Sequence, residues 1–208
     1  MKTEKVNPKS NLRRLAGIFL VCLLAGCTTV YKAPTNTSVN YPTTNKIPLS
    51  VELRLTDELR AAQWVRESMG STFVMPLGGV LSDHAKSMSR RLFAKVTVTE
   101  KNVPDSAPVG GDAALSVKPV AIERSIGATA FGDSVLTVAL EWTLTDSNGQ
   151  LVWVDTIKGQ GVRNSGNVFT HKSNASNQIE DMVKDLFEKS YTAISNSPEI
   201  RSLARRPR

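Results

Sequence analysis

The chain has 208 residues, a formal charge of +7 and 40% hydrophobic residues. Residues 1–26 hold five basic side chains and one acidic, so the remainder carries only about +3, much of it at Arg201, Arg205, Arg206 and Arg208. No basic stripe follows a predicted helix or strand, which excludes a nucleic-acid footprint, and the roughly 160 residues left after the N-terminal segments suit one domain with a real core.

The chain opens with Lys2, Lys5, Lys9, Arg13 and Arg14, then an apolar run from Leu15 to Ala25. A basic segment before a short apolar run is the shape of a secretory signal. The run is about 11 residues, and crossing a bilayer takes roughly 20. It ends in Leu24-Ala25-Gly26-Cys27. These four residues resemble the lipobox of bacterial lipoproteins. The resemblance implies that the Cys27 thiol takes a diacylglyceryl group, that the chain is cut after Gly26, and that the new amine is acylated. Cys22 would leave with the signal peptide, residues 1–26, and Cys27 would be the last cysteine. No disulfide and no cysteine-based metal site is then expected.

Thr28 to Lys46 reads TTVYKAPTNTSVNYPTTNK, rich in Thr, Asn and Pro and without apolar periodicity. With Cys27 it is predicted to be a flexible linker, residues 27–46, before a single periplasmic domain at 47–200 and a basic tail at 201–208. Nineteen residues reach roughly 60 Å extended and about 25 Å as a coil. A threonine rather than an aspartate after the acylated cysteine implies, by the same resemblance, export to the outer membrane.

Leu49, Val51, Leu53 and Leu55 alternate with polar residues and predict a half-buried strand. Residues 57–77 are ambiguous, with a short helix at Asp57 and a short strand at Thr72–Met75 as candidates. A helix is predicted from Val80 to Ala94, with Leu81, Ala85, Met88 and Leu92 on one face. His84 lies beside that face, where a lone histidine reads as a packed residue rather than a ligand. Lys95–Thr99 is a second strand and Ala113–Glu123 a third, whose Pro119 predicts an edge position or a bulge. Val135–Thr145 and Leu151–Gly159 flank the turn Asp146-Ser147-Asn148-Gly149. Centring that turn on Ser147 and Asn148 sets Trp142 opposite Trp153, and Asp155 opposite Leu140. A last helix is predicted from Asn177 to Ser195, buried through Ile179, Met182, Val183, Leu186, Phe187 and Ile194. Ser197-Pro198 reads as the N-cap and first position of a further short helix.

The expected fold is therefore α+β: a mainly antiparallel sheet of about five strands with two amphipathic helices on one face. The Ser125–Asp133 and Asn164–Ser173 connections must leave the end of the sheet opposite the Asp146 turn. Ile126, Phe131, Val168 and Phe169 on these connections are the candidate partner-contact residues; the alternative is that Phe131 and Phe169 fold back onto the core rim. At the level of element order the chain resembles small outer-membrane lipoproteins of the YajG and LptE types and the auxiliary lipoproteins of envelope ABC transporters. The shared features are the lipobox, the Thr/Pro segment, the strand–helix–strands–helix order and the DSNGQLVW hairpin.

Catalytic chemistry has little to stand on. Two histidines form no H-E-x-x-H, and Gly159-Gln160-Gly161 ends a strand without opening a helix. Gly132-Asp133-Ser134 has a serine-hydrolase look but no following D-x-x-H, and Glu123 and Asp133 could face one another across a hairpin. No enzyme activity, metal or cofactor is expected. The leading expectation is a non-enzymatic binding, assembly or transport accessory factor on the periplasmic side of the outer membrane. Its lipid anchor would hold it to the membrane, with an envelope protein or glycolipid as partner and no nucleic acid. A surface-exposed structural or adhesive lipoprotein is the alternative, and an envelope hydrolase a third.

Overall fold

The computed structural model describes residues 28–34, 37–42, 45–68, 70–100, 109–126, 132–164 and 171–206, with Ile126, Asn164 and residues 171–173 described by backbone alone. These residues fall into two compact units. The smaller takes Val65–Val74 and the chain up to Val30; the larger takes Tyr31–Trp64 and Met75–Arg208.

The smaller unit is built on a three-stranded sheet. Strands β1 (Thr28–Val30), β3 (Gln63–Ser68) and β4 (Ser71–Pro76) lie in the order β1-β4-β3, with β1 parallel to β4 and Thr29 opposite Phe73. Gly70 takes a left-handed φ of 75° before β4, a conformation that costs other residues about 1–2 kcal/mol.

The larger unit carries a five-stranded sheet in the order β5-β2-β6-β7-β8. Its strands are β2 (Ile47–Leu55), β5 (Phe93–Thr99), β6 (Ala113–Ile126), β7 (Asp133–Asp146) and β8 (Leu151–Asn164). The sheet is mixed, not mainly antiparallel. β2 runs parallel to both β5 and β6, and only β6–β7–β8 is antiparallel. The cause is the helix between β2 and β5. Adjacent strands joined by a helical crossover lie parallel, whereas a tight turn makes them antiparallel.

There are four described helices rather than two: α1 (Asp57–Arg60), α2 (Gly78–Leu92), α3 (His171–Asn196) and α4 (Pro198–Ala204). Thr56 caps α1 by accepting from the Leu59 amide at 3.2 Å. Ser197 caps α4 by accepting from the Ile200 amide at 3.2 Å, and Pro198 sits at its start as the sequence predicts. α3 begins at His171, six residues before the expected Asn177, so Asn177 is an interior position and not a cap. α4 runs to Ala204 and buries Leu203, so the first part of the expected tail is structured.

The core lies between the helices and the sheet. Leu81, Ala85, Met88 and Leu92 of α2, and Ile179, Met182, Val183, Leu186, Phe187 and Ile194 of α3, are fully buried or nearly so. Each of these side chains larger than Ala85 contributes about 1.5–3 kcal/mol of transfer free energy. Trp142 of β7 is fully buried and meets the Phe187 ring edge-on, 6.3 Å between centres. Gly159 and Gly161 do not end β8, which runs on to Asn164, but lie inside it where α3 crosses. A Cβ at Gly159 would overlap Leu186, and one at Gly161 would overlap the Gln178 carbonyl. Both glycines let α3 lie close on the strand.

Two register details differ from the sequence reading. The β7–β8 turn is closed by the Asp146 amide donating to the Gln150 carbonyl, with three residues between them and Gly149 at φ 76°. A bulge follows between Thr145 and Leu144. The pairing therefore slips by two: Trp142 faces Asp155, Leu144 faces Trp153, and Leu140 faces Ile157. A slip of two keeps every side chain on its expected face, and Asp155 is exposed, so it needs no buried partner. Pro119 marks a bulge, between Pro119 and Ala121, but β6 is a central strand.

Candidate functional site

The connections after β6 and β8 do leave the same end of the sheet. Ile126 pairs with Ser134, Asp133 pairs with Asn164, and α3 starts beside them, since Gln178 reaches back to β7 and β8. Cys27, Phe131, Val168 and Phe169 lie outside the described residues. Ile126 closes β6, described by its backbone.

What the sequence did not signal is the polar and aromatic cluster beneath this end. Gln178, fully buried, donates from Nε2 to the Ser134 carbonyl at 2.6 Å, to the Ser134 hydroxyl at 3.2 Å and to the Gly161 carbonyl at 3.2 Å. Arg124 Nε donates to the same hydroxyl at 3.1 Å. The Arg124 guanidinium carbon then lies 5.3 Å from the centre of the Trp64 ring and 5.7 Å from that of Tyr31. Both rings are buried, Tyr31 to 3% exposure and Trp64 to 9%. A cation over two aromatic faces is attracted by their quadrupoles, by about 0.5–2 kcal/mol per pair according to desolvation. Ser134, the serine of Gly132-Asp133-Ser134, is thus buried and held by two donors, neither of which is a base. Glu123 pairs with Thr137 and Asp133 with Asn164, so the two carboxylates do not face one another.

Tyr31 belongs to the segment expected to be a free linker, and it is not alone. Tyr41 is buried to 8%, stacks at 5.2 Å on Tyr191 of α3 and lies under the Arg91 guanidinium. Burial pushes the Tyr41 hydroxyl well above its usual range, against the opposing pull of Arg91. The Tyr191 hydroxyl donates to the Pro42 carbonyl at 3.0 Å. The two tyrosines of a Thr/Asn/Pro-rich run were the available signal, since large aromatic rings rarely stay in water when a core is within reach.

The opposite end, at the β7–β8 turn, differs in character. A groove of about 500 Å³ opens between the start of β2 and the helices, lined by Lys46, Ile47, Pro48, Leu92, Arg201 and Arg205 among others. Lys46, Arg201 and Arg205 are exposed, and Arg201 Nε donates to the Ser195 carbonyl at 2.9 Å. Next to it Asp146 binds the turn, accepting from the Asn148 and Gln150 amides, with Arg206 at 3.8 Å from its other oxygen.

Elsewhere the titratable groups are structural. His84 is half-buried against the Phe187 ring, 5.4 Å between centres, and burial lowers its pKa against the nearby charge of Asp83. Burial pushes the Glu52 carboxyl up, but hydrogen bonds from Arg54, Thr99 and Gly110 outweigh it and hold it below its usual range. Among the described residues no three His, Cys, Asp or Glu side chains gather as a metal site. No helix among them is long and apolar enough to cross a membrane.

No family model matches the chain, and no curated protein matches it. Solved structures do. Protein XCC0632 from Xanthomonas campestris is 11% identical with a TM-score of 0.46, over 80% of this chain and 95% of that one. A minor lipoprotein from Acinetobacter baumannii is 12% identical with a TM-score of 0.40, over 70% and 90%. Lipoprotein GNA1162 from Neisseria meningitidis is 18% identical with a TM-score of 0.38, over 71% and 99%.

Proposed function

We propose that the mature chain is a lipoprotein, acylated at Cys27 and held at the periplasmic face of the outer membrane, where it serves as a non-enzymatic binding, assembly or transport accessory factor of the envelope. The observation that carries this reading is the sequence Leu24-Ala25-Gly26-Cys27 at the end of a short apolar run that follows a basic segment. The Thr28 after the cysteine supports the outer-membrane assignment. The end of the sheet that carries the β6–β7 and β8–α3 connections supports a partner surface there, with Ile126, Phe131, Val168 and Phe169 as the contact residues and an envelope protein or glycolipid as the partner.

Cells fed radiolabelled palmitate test the anchor. The wild-type chain is expected to carry label and to fractionate with the outer membrane, and Cys27→Ser to lose the label and appear in the periplasmic fraction. A wild-type chain without label would contradict the reading. Pull-down of the anchored protein tests the role: an envelope protein or glycolipid lost on Phe131→Ala with Phe169→Ala supports it, and recovery unchanged by that double substitution counts against the surface.

A further inference from the structure

We infer that the groove between the start of β2, the end of α3 and α4 binds a phosphate monoester, carried on a sugar or a lipid headgroup. The groove stands at the end of the larger unit opposite the connections proposed above as a partner surface. The inference does not need Cys27 to be acylated.

The charges come from two places in the chain. Arg201, and Arg205 at the C-cap of α4, stand four residues apart and so share one face of that helix. Lys46 reaches the same groove from the residue before β2. All three are exposed, and among the described residues none of them forms an ion pair. Cations elsewhere are matched: Arg206, the next residue along, pairs with Asp146, and Arg163, Lys184 and Lys189 pair with carboxylates of α3. A lone surface cation is balanced by water and salt. Three around one concavity focus their field into it, and a bound anion relieves their repulsion.

The groove also orients its charges. Arg201 Nε donates to the Ser195 carbonyl at 2.9 Å. That carbonyl belongs to the last turn of α3, where the helix supplies no amide for it. The bond fixes the guanidinium plane and leaves its two terminal nitrogens for the fork that an oxyanion accepts. The Ser197 cap and the buried Ile200 and Leu203 hold α4, so a fixed helix rather than a loop presents Arg201 and Arg205. Ile47 and Leu92 are buried beneath the groove and give it a wall of low dielectric, which strengthens the field inside. Asn45 and Asn196 line it with amides that donate to and accept from hydroxyls.

Charge and size select the ligand. A carboxylate is satisfied by one guanidinium. A phosphate monoester carries about −1.5 to −2 at pH 7 and three terminal oxygens, enough for a forked arginine, a second arginine and an ammonium together. A volume of about 500 Å³ lies within the range of small-molecule sites and holds a sugar phosphate or a lipid headgroup.

The test uses the whole chain after residue 26, made soluble by Cys27→Ser. Titration calorimetry is run at about 0.1 M salt, where surface charges are screened beyond roughly 10 Å. The probes are glucose 1-phosphate, vesicles containing phosphatidic acid, and an oligoglutamate peptide. We expect binding of a phosphate probe: the free sugar phosphate marks a soluble ligand, and the vesicles alone mark a lipid headgroup. Arg201→Gln with Arg205→Gln should weaken that binding about ten-fold or more. Lys46→Gln lies outside every helix and strand, so it should weaken binding several-fold without changing the urea midpoint. Lys158→Gln with Lys184→Gln removes as much charge as the arginine pair but lines no part of the groove, and should leave binding unchanged. No binding of either phosphate probe would overturn the inference. So would tighter binding of oligoglutamate, or an equal loss in the Lys158 and Lys184 variant.

Discussion

The two ends of the larger unit are built on different principles. At the β6–β7 end a half-buried cation lies over two buried aromatic rings, and Gln178 Nε2 and the Ser134 hydroxyl bond to one another inside the structure. At the β7–β8 end three cations stand in water around an open groove, and the turn is fixed by one carboxylate and one glycine. The first arrangement holds a chain segment in place, because each partner loses its contacts if the segment leaves. The second leaves its charges available. The difference teaches that the N-terminal segment is part of the architecture at one end and ends as the rim of a groove at the other.

That contrast can be broken by substitution. The largest effect is expected at Gly161, close to the buried end, where a Cβ would meet the Gln178 carbonyl. Gly161→Ala should cost about 3 kcal/mol through displacement of α3, read as a lower midpoint in urea unfolding. Arg124→Leu removes a cation from between two rings and a donor from Ser134, and should cost about 2 kcal/mol. It should also make the chain cleavable by protease between Tyr31 and Lys46 under native conditions; a segment equally resistant in the variant would show that Arg124 does not hold it. At the turn end, Gly149→Ala places a Cβ at φ 76° and should cost about 1 kcal/mol, with no change in cleavage between Tyr31 and Lys46.

How much of this was legible in the sequence follows from the range of the signals. β2, α2, β7 and the α3 stripe were legible because each is a local period of apolar residues, and those same residues are buried. Strand direction was not. Nothing in Lys95–Thr99 says that it lies beside β2 and parallel to it; that depends on where α2 packs. The start of α3 was missed because His171–Ser176 is polar, and helix continuation there has no apolar period to show it. The candidate contact residues Ile126, Phe131, Val168 and Phe169 were chosen by hairpin geometry, and that geometry holds for the strand ends. The Arg124–Tyr31–Trp64 cluster was invisible, because its members lie 33 and 60 residues from one another or more in a chain where Tyr31 looks like linker.

The smallest expected effect is a pH dependence. Burial lowers the His84 pKa in the folded state, so the unfolded chain binds the proton more readily. The stability this group contributes is present above the ordinary histidine range, about 6.5, and is lost as pH falls through and below it. The melting temperature should therefore drop between neutral pH and about pH 5.5, and His84→Leu should flatten that slope. An unchanged slope would place the acid sensitivity in other groups.

The most direct measurement is a pair of spin-label distances in the mature chain made without its signal and with Cys27→Ser, one label standing at Lys32→Cys beside the buried Tyr31. With the second label at Ser125→Cys the distribution should be narrow and short, because Tyr31 packs against Arg124. With it at Asn148→Cys the distance should be longer by at least about 10 Å, since the sheet extends away from that cluster. Two broad distributions that overlap would mean that the segment after Tyr31 is a free linker, and would contradict the account.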